Sequence, residues 1–248
     1  MALKNNNQFA LITGATSGFG YELAKLFAQD GYNLVLVARL EDRLQEVADE
    51  IINLFGVEVI PLPKDLFDPN APFEIYDDIK AQGIAISVLV NNAGQGEYGK
   101  FSETDLDREL DIIQLNVGAL VSLTKLFLKE MVERNEGKIL QLGSVVSTMP
   151  APMMAVYGAT KAFVLSFSEA LINELKGTNV TLTALLPGAS DTDFFHKAHA
   201  EDTVTYREEK LSKPADVARD GYEALMKGES KIVSGWKNKV QVGIVSSP

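Results

Sequence analysis

Phe9-Ala10-Leu11-Ile12-Thr13-Gly14-Ala15-Thr16-Ser17-Gly18-Phe19-Gly20 is the stretch on which the fold turns. Phe9–Thr13 is short, apolar and β-branched at its end, the pattern of a strand buried on both faces. Beyond Gly20, Leu23, Leu26 and Phe27 share one face of a helix. Between them, three glycines remove the Cβ, so the backbone can turn tightly and come close to a bulky group. The free N–H groups and dipole of a helix start behind such a turn attract phosphate. A strand before and a helix after are the context in which a glycine cluster points to nucleotide binding. The spacing is Gly-x-x-x-Gly-x-Gly rather than Gly-x-Gly-x-x-Gly, and no Lys follows Gly20, which excludes a P-loop.

The same alternation continues outward. Further strands are expected at Asn33–Ala38, Val57–Leu62, Ile86–Asn91, Lys138–Leu142, Val180–Leu186 and Lys231–Ser234. Helices are expected at Glu41–Phe55, Asp105–Arg134 (two helices or one bent one), Ala155–Lys176 and Pro214–Lys227, with Ser212 placed to cap the last. Strand–helix alternation implies right-handed crossovers and a parallel sheet covered on both faces. The expected architecture is a single doubly wound α/β Rossmann-type domain over 1–248, with a parallel sheet of about seven strands. Ligands of such sheets bind beyond the carboxyl ends of the strands, so the chemistry should follow each apolar run.

Composition narrows the classes of function. The 248 residues are 46% hydrophobic and 23% charged, an ordinary globular mixture. There is no cysteine, which excludes disulfides, thiol nucleophiles and Cys-based metal sites; His196 and His199 are the only histidines, and no metal is expected. A net charge of −11 disfavours a nucleic-acid partner. Met1–Gln8 lacks an apolar leader segment, and no run is read as long enough to span a membrane, so a cytoplasmic protein without a membrane partner is expected. The mildly apolar Val240–Val245 reads as a strand, a dimer contact or a loose end.

The second strand ends in Ala38-Arg39, with no carboxylate at its tip to accept from ribose hydroxyls. The guanidinium of Arg39 offers paired donors that match a 2′-phosphate, which favours NADP(H) over NAD; an Arg that merely solvates a strand end is the other reading. Asp65 would accept from an adenine amino group or cap its own loop. Asn91-Asn92-Ala93-Gly94, after the fourth strand, suits a close backbone approach to a ribose. Tyr157 and Lys161 stand one helical turn apart on a shared face. A phenol is a poor acid or base at neutral pH, but a nearby ammonium would pull its pKa toward the working range. Ser144, just after the fifth strand, would hydrogen-bond a substrate carbonyl.

Taken together, Thr13–Gly20, Asp65, Asn91–Gly94, Asn116, Ser144, Tyr157, Lys161 and Pro187-Gly188 with Thr192 resemble the classical short-chain dehydrogenase/reductase family, over Phe9 to about Ser234. The resemblance implies hydride transfer between a nicotinamide cofactor, NADP or alternatively NAD, and a small-molecule carbonyl or alcohol. It casts Tyr157 as general acid, Lys161 as ribose ligand and modulator of the phenol, Ser144 as substrate anchor and Asn116 as holder of a relay water. It places Gly14, Thr16, Ser17, Gly18, Phe19, Gly20, Arg39, Asp65, Leu66, Asn92, Ala93, Gly94, Pro187, Gly188 and Thr192, with Tyr157 and Lys161, around the cofactor. Members that use NADP often carry a basic residue where this chain has Ser17, so Arg39 must set the preference largely alone. The chain also ends soon after the seventh strand.

Residues 189–211, with Phe194, Phe195, His196, His199 and Tyr206, are expected to form a lid over the substrate. Met149, Met153 and Met154 would line the same opening and favour a hydrophobic substrate, or pack the lid against the body. Other readings are a non-catalytic nucleotide-sensing or scaffold protein and an epimerase or dehydratase on the same scaffold. A homodimer or homotetramer, paired through the helices carrying Asn116 and Tyr157, is also expected.

Overall fold

The computed structural model describes residues 7–200, 203 and 211–235. Tyr206 and Val240–Val245 lie outside the described residues. Seven strands form one parallel sheet: β1 (Phe9–Thr13), β2 (Asn33–Ala38), β3 (Val59–Pro63), β4 (Ile86–Asn91), β5 (Gly137–Leu142), β6 (Val180–Leu186) and β7 (Lys231–Val233). Their order is β3-β2-β1-β4-β5-β6-β7. The chain winds outward from β1 to β3, then returns to the other side of β1 at β4, so the strand order reverses between β1 and β4. That is the crevice where doubly wound sheets bind ligands.

Successive residues of each strand face opposite sides of the sheet. Ala10, Ile12, Leu34 and Leu36 pack with Leu23 and Phe27 of α1 (Gly18–Gln29), Leu44 and Ile51 of α2 (Glu41–Phe55) and Val217 and Leu225 of the C-terminal helix Pro214–Lys227. Leu11, Val35 and Val37 face the other layer, with Ile75 and Ile79 of α3 (Ala71–Ala81) and Leu123, Phe127 and Met131 of the long helix after β4. All of these are buried, so burial on both faces carries the stability of the fold.

The long helix is one continuous run with a defect. α4 (Leu106–Ile113) passes through a π-turn at Gln114–Ala119 into α5 (Leu120–Arg134). The run is thus continuous rather than split, and the wide turn carries Asn116 into the interior, 1% exposed. A 3₁₀ turn at Val145–Thr148, α6 (Ala155–Glu174), α7 (Phe194–Lys197) and α8 (Pro214–Lys227) complete the layers.

Four expectations need correction. α3 was not foreseen: Pro61, Pro63, Pro69 and Pro72 crowd its approach and read as punctuation, yet Pro72 sits in the first turn, where its missing N–H costs nothing. Ser212 does not cap α8; Lys213 holds the cap position, and Ser212 instead bridges to Ser190. Two helical runs, Leu106–Arg134 and Ala155–Glu174, do have the length and composition to cross a membrane; in the fold one side of each lies on the sheet. Strand β3 starts two residues later than expected and runs through Pro61 and Pro63, opposite Leu36 and Ala38. It tolerates them because it is an edge strand.

Candidate active site

The glycine turn sits at the reversal point and is tied to β4. Gly14 N–H donates to Val37 O at 2.8 Å, and the Asn92 side-chain amide donates to Thr13 O at 2.9 Å and Gly14 O at 3.1 Å. The Thr13 hydroxyl accepts from the N–H groups of Asn92 and Ala93, both at 3.0 Å. These bonds leave no room for side chains. A Cβ on Gly20 would stand 2.2 Å from Gly14 O and 2.5 Å from Asn92 Nδ2. Gly14 has φ +67°, a left-handed conformation that disfavours any other residue.

Helix α1 therefore starts hard against the turn. Ser17 makes no side-chain cap to it, and its first turn carries no acidic residue, whereas α2 opens on Glu41 and Asp42. A helix start of this kind, opening into a cleft, suits the two phosphates of a dinucleotide. The cleft has a volume of about 730 Å³, and every residue assigned to the cofactor lines it except Gly20, which lies behind the turn as a packing residue. The residues present thus fit a dinucleotide.

At the far end of the cleft, Arg39 lies 4.0 Å from Asp65 and over the ring of Phe67 at 5.0 Å. Asp65 Oδ1 accepts from Phe67 N–H at 3.1 Å, so its carboxylate caps its own loop, and its second oxygen faces Arg39. Lys64, which also lines the cleft, is bound to Glu74 at 2.8 Å and Asp78 at 3.1 Å. Arg39 lines the cleft from the tip of β2, its guanidinium about half exposed.

Ser144, Tyr157 and Lys161 meet along one wall. Ser144 follows β5 and caps the 3₁₀ turn, its hydroxyl accepting from Val146 N–H at 3.3 Å; it lines the cleft together with the Tyr157 phenol. Lys161 is 4% exposed and donates to Leu142 O at 2.8 Å. Burial pushes the Tyr157 phenol up to about 12, opposed by the neighbouring Ser144 hydroxyl. Burial also brings the Lys161 ammonium down to about 8. The expectation that Lys161 lowers the phenol pKa is therefore corrected for the protein alone. Its Nζ is 5.8 Å from the Tyr157 ring centroid and is spent on Leu142 O, while desolvation acts on both groups. The phenol is held protonated, ready to donate.

Asn116 does not line the cleft. Its side chain grips the backbone of Gln95, accepting from Gln95 N–H at 3.0 Å and donating to Gln95 O at 2.9 Å. It also donates to Thr160 Oγ at 2.9 Å, and Thr160 Oγ donates to Tyr157 O at 2.7 Å. The π-turn thus links the segment after β4 to the turn of α6 that bears the tyrosine.

The described part of 189–211 packs on that same site. The Phe194 ring lies 4.9 Å from that of Tyr157, tilted by 49°. A Cβ on Gly96 would meet Phe194, Met154 and Tyr157 at 2.9, 3.0 and 3.2 Å. Of the three methionines expected at the opening, only Met154 lines the cleft. His196 and His199 do not line it; His199 Nδ1 pairs with Glu97 at 3.0 Å. Among the described residues no group of three His, Asp or Glu is placed to hold a metal. Sequence reasoning passed over Gln95, Gly96, Glu97 and Arg108, because they are irregular backbone and helix-surface residues with no periodicity to mark them.

A doubly wound sheet with a glycine turn at its reversal point and a Ser-Tyr-Lys cluster beside it defines a Rossmann-type dinucleotide-binding domain. Comparison with known proteins specifies which. Residues 8–203 match the short chain dehydrogenase family model, and the chain belongs to that family. It is 38% identical over 186 residues to the very-long-chain 3-oxoacyl-CoA reductase of Rattus norvegicus, covering 73% of this chain and 58% of that protein. It is 34% identical over 215 residues to a probable NADP-dependent dehydrogenase of Haemophilus influenzae, covering 84% of each. The chain spans 58% to 60% of the length of the first relatives it matches. Among solved structures, a short-chain dehydrogenase from Sphingobium yanoikuyae in complex with NADPH superposes with a TM-score of 0.86 at 29% identity, over 97% of this chain and 96% of that one.

Proposed function

We propose that this chain is an NADP(H)-dependent oxidoreductase that interconverts a hydrophobic ketone or aldehyde and its alcohol. The observation that carries the reading is the convergence of Ser144, Tyr157 and Lys161 on the cleft that the glycine turn opens. Gly14 to Phe19, Asn92 to Gly94, Pro187, Gly188 and Thr192 would hold the dinucleotide, and Arg39 its 2′-phosphate. When bound, the reduced dinucleotide supplies the hydride that the carbonyl carbon receives. The protein's own residues do the rest. The Ser144 hydroxyl anchors the carbonyl oxygen, and the Tyr157 phenol gives it a proton as the C=O bond becomes C–O. The Lys161 ammonium, fixed by Leu142 O, lines the same cleft and would bind the ribose of the dinucleotide. Phe194, Phe195, Met154 and Val145 give the substrate end its apolar walls. The NADPH-bound structural neighbour supports a nicotinamide cofactor, and the 3-oxoacyl-CoA reductase relative supports a carbonyl substrate.

We further infer a homo-oligomer. Leu106, Leu110 and Ile113 are exposed along one face of α4, and the Phe163 ring stacks with Phe167 on neighbouring α6. A chain without cysteine suits a reducing cytoplasm.

The test is a panel of ketones, aldehydes and alcohols followed by NADPH absorbance, with Tyr157→Phe as control. Turnover that falls by about 10²- to 10⁴-fold in the variant, with NADPH binding retained, is expected. NADPH binding with no Tyr157-dependent turnover would favour a nucleotide sensor instead.

A further inference from the structure

Arg108, in the first turn of α4, sits at the meeting point of three segments. Its Nη2 donates to Gln95 Oε1 at 2.6 Å and to Lys197 O, at the end of α7, at 3.4 Å. Its Nε donates to Glu97 Oε2 at 3.4 Å, and its Cζ lies 5.7 Å from the Phe67 ring centroid. The other oxygen of Glu97, a side chain only 13% exposed, meets His199 Nδ1 at 3.0 Å. Tyr98 N–H donates to Ala198 O at 2.9 Å, so residues 95–98 and 197–199 are joined by backbone and side chain alike.

Each end of this junction leads to the reacting group. On one side, Gln95 is clamped by Asn116, which reaches Tyr157 through Thr160. On the other, α7 carries Phe194 onto the face of Tyr157. A guanidinium near the last carbonyl of a short helix is favourably placed, and its planar fork serves several acceptors at once. A lysine ammonium is a single point charge and cannot span Gln95, Glu97 and Lys197 O together.

We propose that Arg108 is a positioning residue: it ties the α7 turn to the Gln95–Glu97 segment and so fixes Phe194 against Tyr157, setting how well the carbonyl substrate is held. The kinetic part rests on the carbonyl-reduction reading above; the structural part does not. Arg108 does not line the cleft, so its removal acts on substrate through Phe194 rather than directly on the cofactor.

The experiment compares the full chain with Arg108→Ala and Arg108→Lys in two measurements. Hydrogen exchange should quicken by about tenfold or more at the Tyr98 amide and across 194–199 in Arg108→Ala, as expected for losing charge-assisted hydrogen bonds. Steady-state kinetics should show the carbonyl KM raised by about tenfold, kcat changed less than about threefold, and NADPH Kd within about threefold of wild type. Arg108→Lys, which keeps the charge and guards against a misfolded alanine variant, should leave the KM raised. Unchanged exchange at Tyr98 in Arg108→Ala overturns the proposal whatever the kinetics, and a wild-type KM in either variant overturns it too. A wild-type chain that reduces no carbonyl, alongside quickened exchange in Arg108→Ala, would sink the activity reading and uphold the tie.

Discussion

Gly20→Ala puts the cofactor cradle under direct strain. In an ordinary helix the change would gain up to about 1 kcal/mol of propensity. Here the new methyl would lie 2.2 Å from Gly14 O, a backbone atom that cannot swing aside, and 2.5 Å from Asn92 Nδ2. Relief requires the start of α1 to move away from the β1 turn by about 1 Å, which costs about 1–3 kcal/mol of overpacking. It also breaks the 3.1 Å bond from Asn92 to Gly14 O, worth about 1 kcal/mol. After the propensity gain, the net loss is about 1–3 kcal/mol, or a Tm lower by about 2–12 °C for a chain of this size. Displacing the helix start should also weaken nucleotide binding by more than about tenfold, since its N–H groups face the phosphates. Thermal melts and fluorescence titration with NADPH measure both. Gly56→Ala is the control: its φ is +68° but nothing lies within 4 Å of the added methyl, so it should lose about 1 kcal/mol of stability and no NADPH affinity. A Gly20→Ala protein that melts with wild type and binds NADPH within about threefold of it would refute the close-packed cradle.

Two further outcomes follow from the same geometry. The double change Ala38→Asp with Arg39→Ala should move the NADPH-to-NADH preference in kcat/KM by about 10²-fold or more toward NADH, the scale of charge-assisted bonds to a 2′-phosphate; a wild-type chain that already prefers NADH would remove Arg39 from that role. Burial lowers Lys161 from 10.5 to about 8 in the folded chain, so between those values the unfolded state binds more protons and stability rises with pH. Tm curves of wild type and Lys161→Met should therefore converge or cross as pH climbs from 8 to 10, and parallel curves would show that Lys161 titrates normally.

Much of this was legible before any coordinates. The glycine spacing, the run of buried strands and the Tyr157–Lys161 interval depend on local pattern, and the fold keeps all three in place. Asp65 was legible only as two alternatives; the loop-capping one is what its Phe67 contact shows. What escaped was tertiary. Helix α3 hid among prolines because Ile75 and Ile79 look apolar for a reason, burial under α5, that no single window reveals. The effect of Lys161 on the phenol was misjudged because i,i+4 spacing gives proximity but not the competing Leu142 carbonyl or the depth of burial. Arg108 and Glu97 were passed over because no local pattern marks them; their pairing with each other and with the returning chain at 197–199 is tertiary.

Pro61 and Pro63 carry a consequence at the rim of the sheet. Lys64 N–H reaches inward to Ala38 O, so by alternation the missing donors of the two prolines are those that would point outward from β3. A foreign strand approaching that rim meets acceptors without their matching donors and finds no ladder to extend. The protein is thereby guarded on this flank against edge-on stacking with its neighbours in a crowded solution.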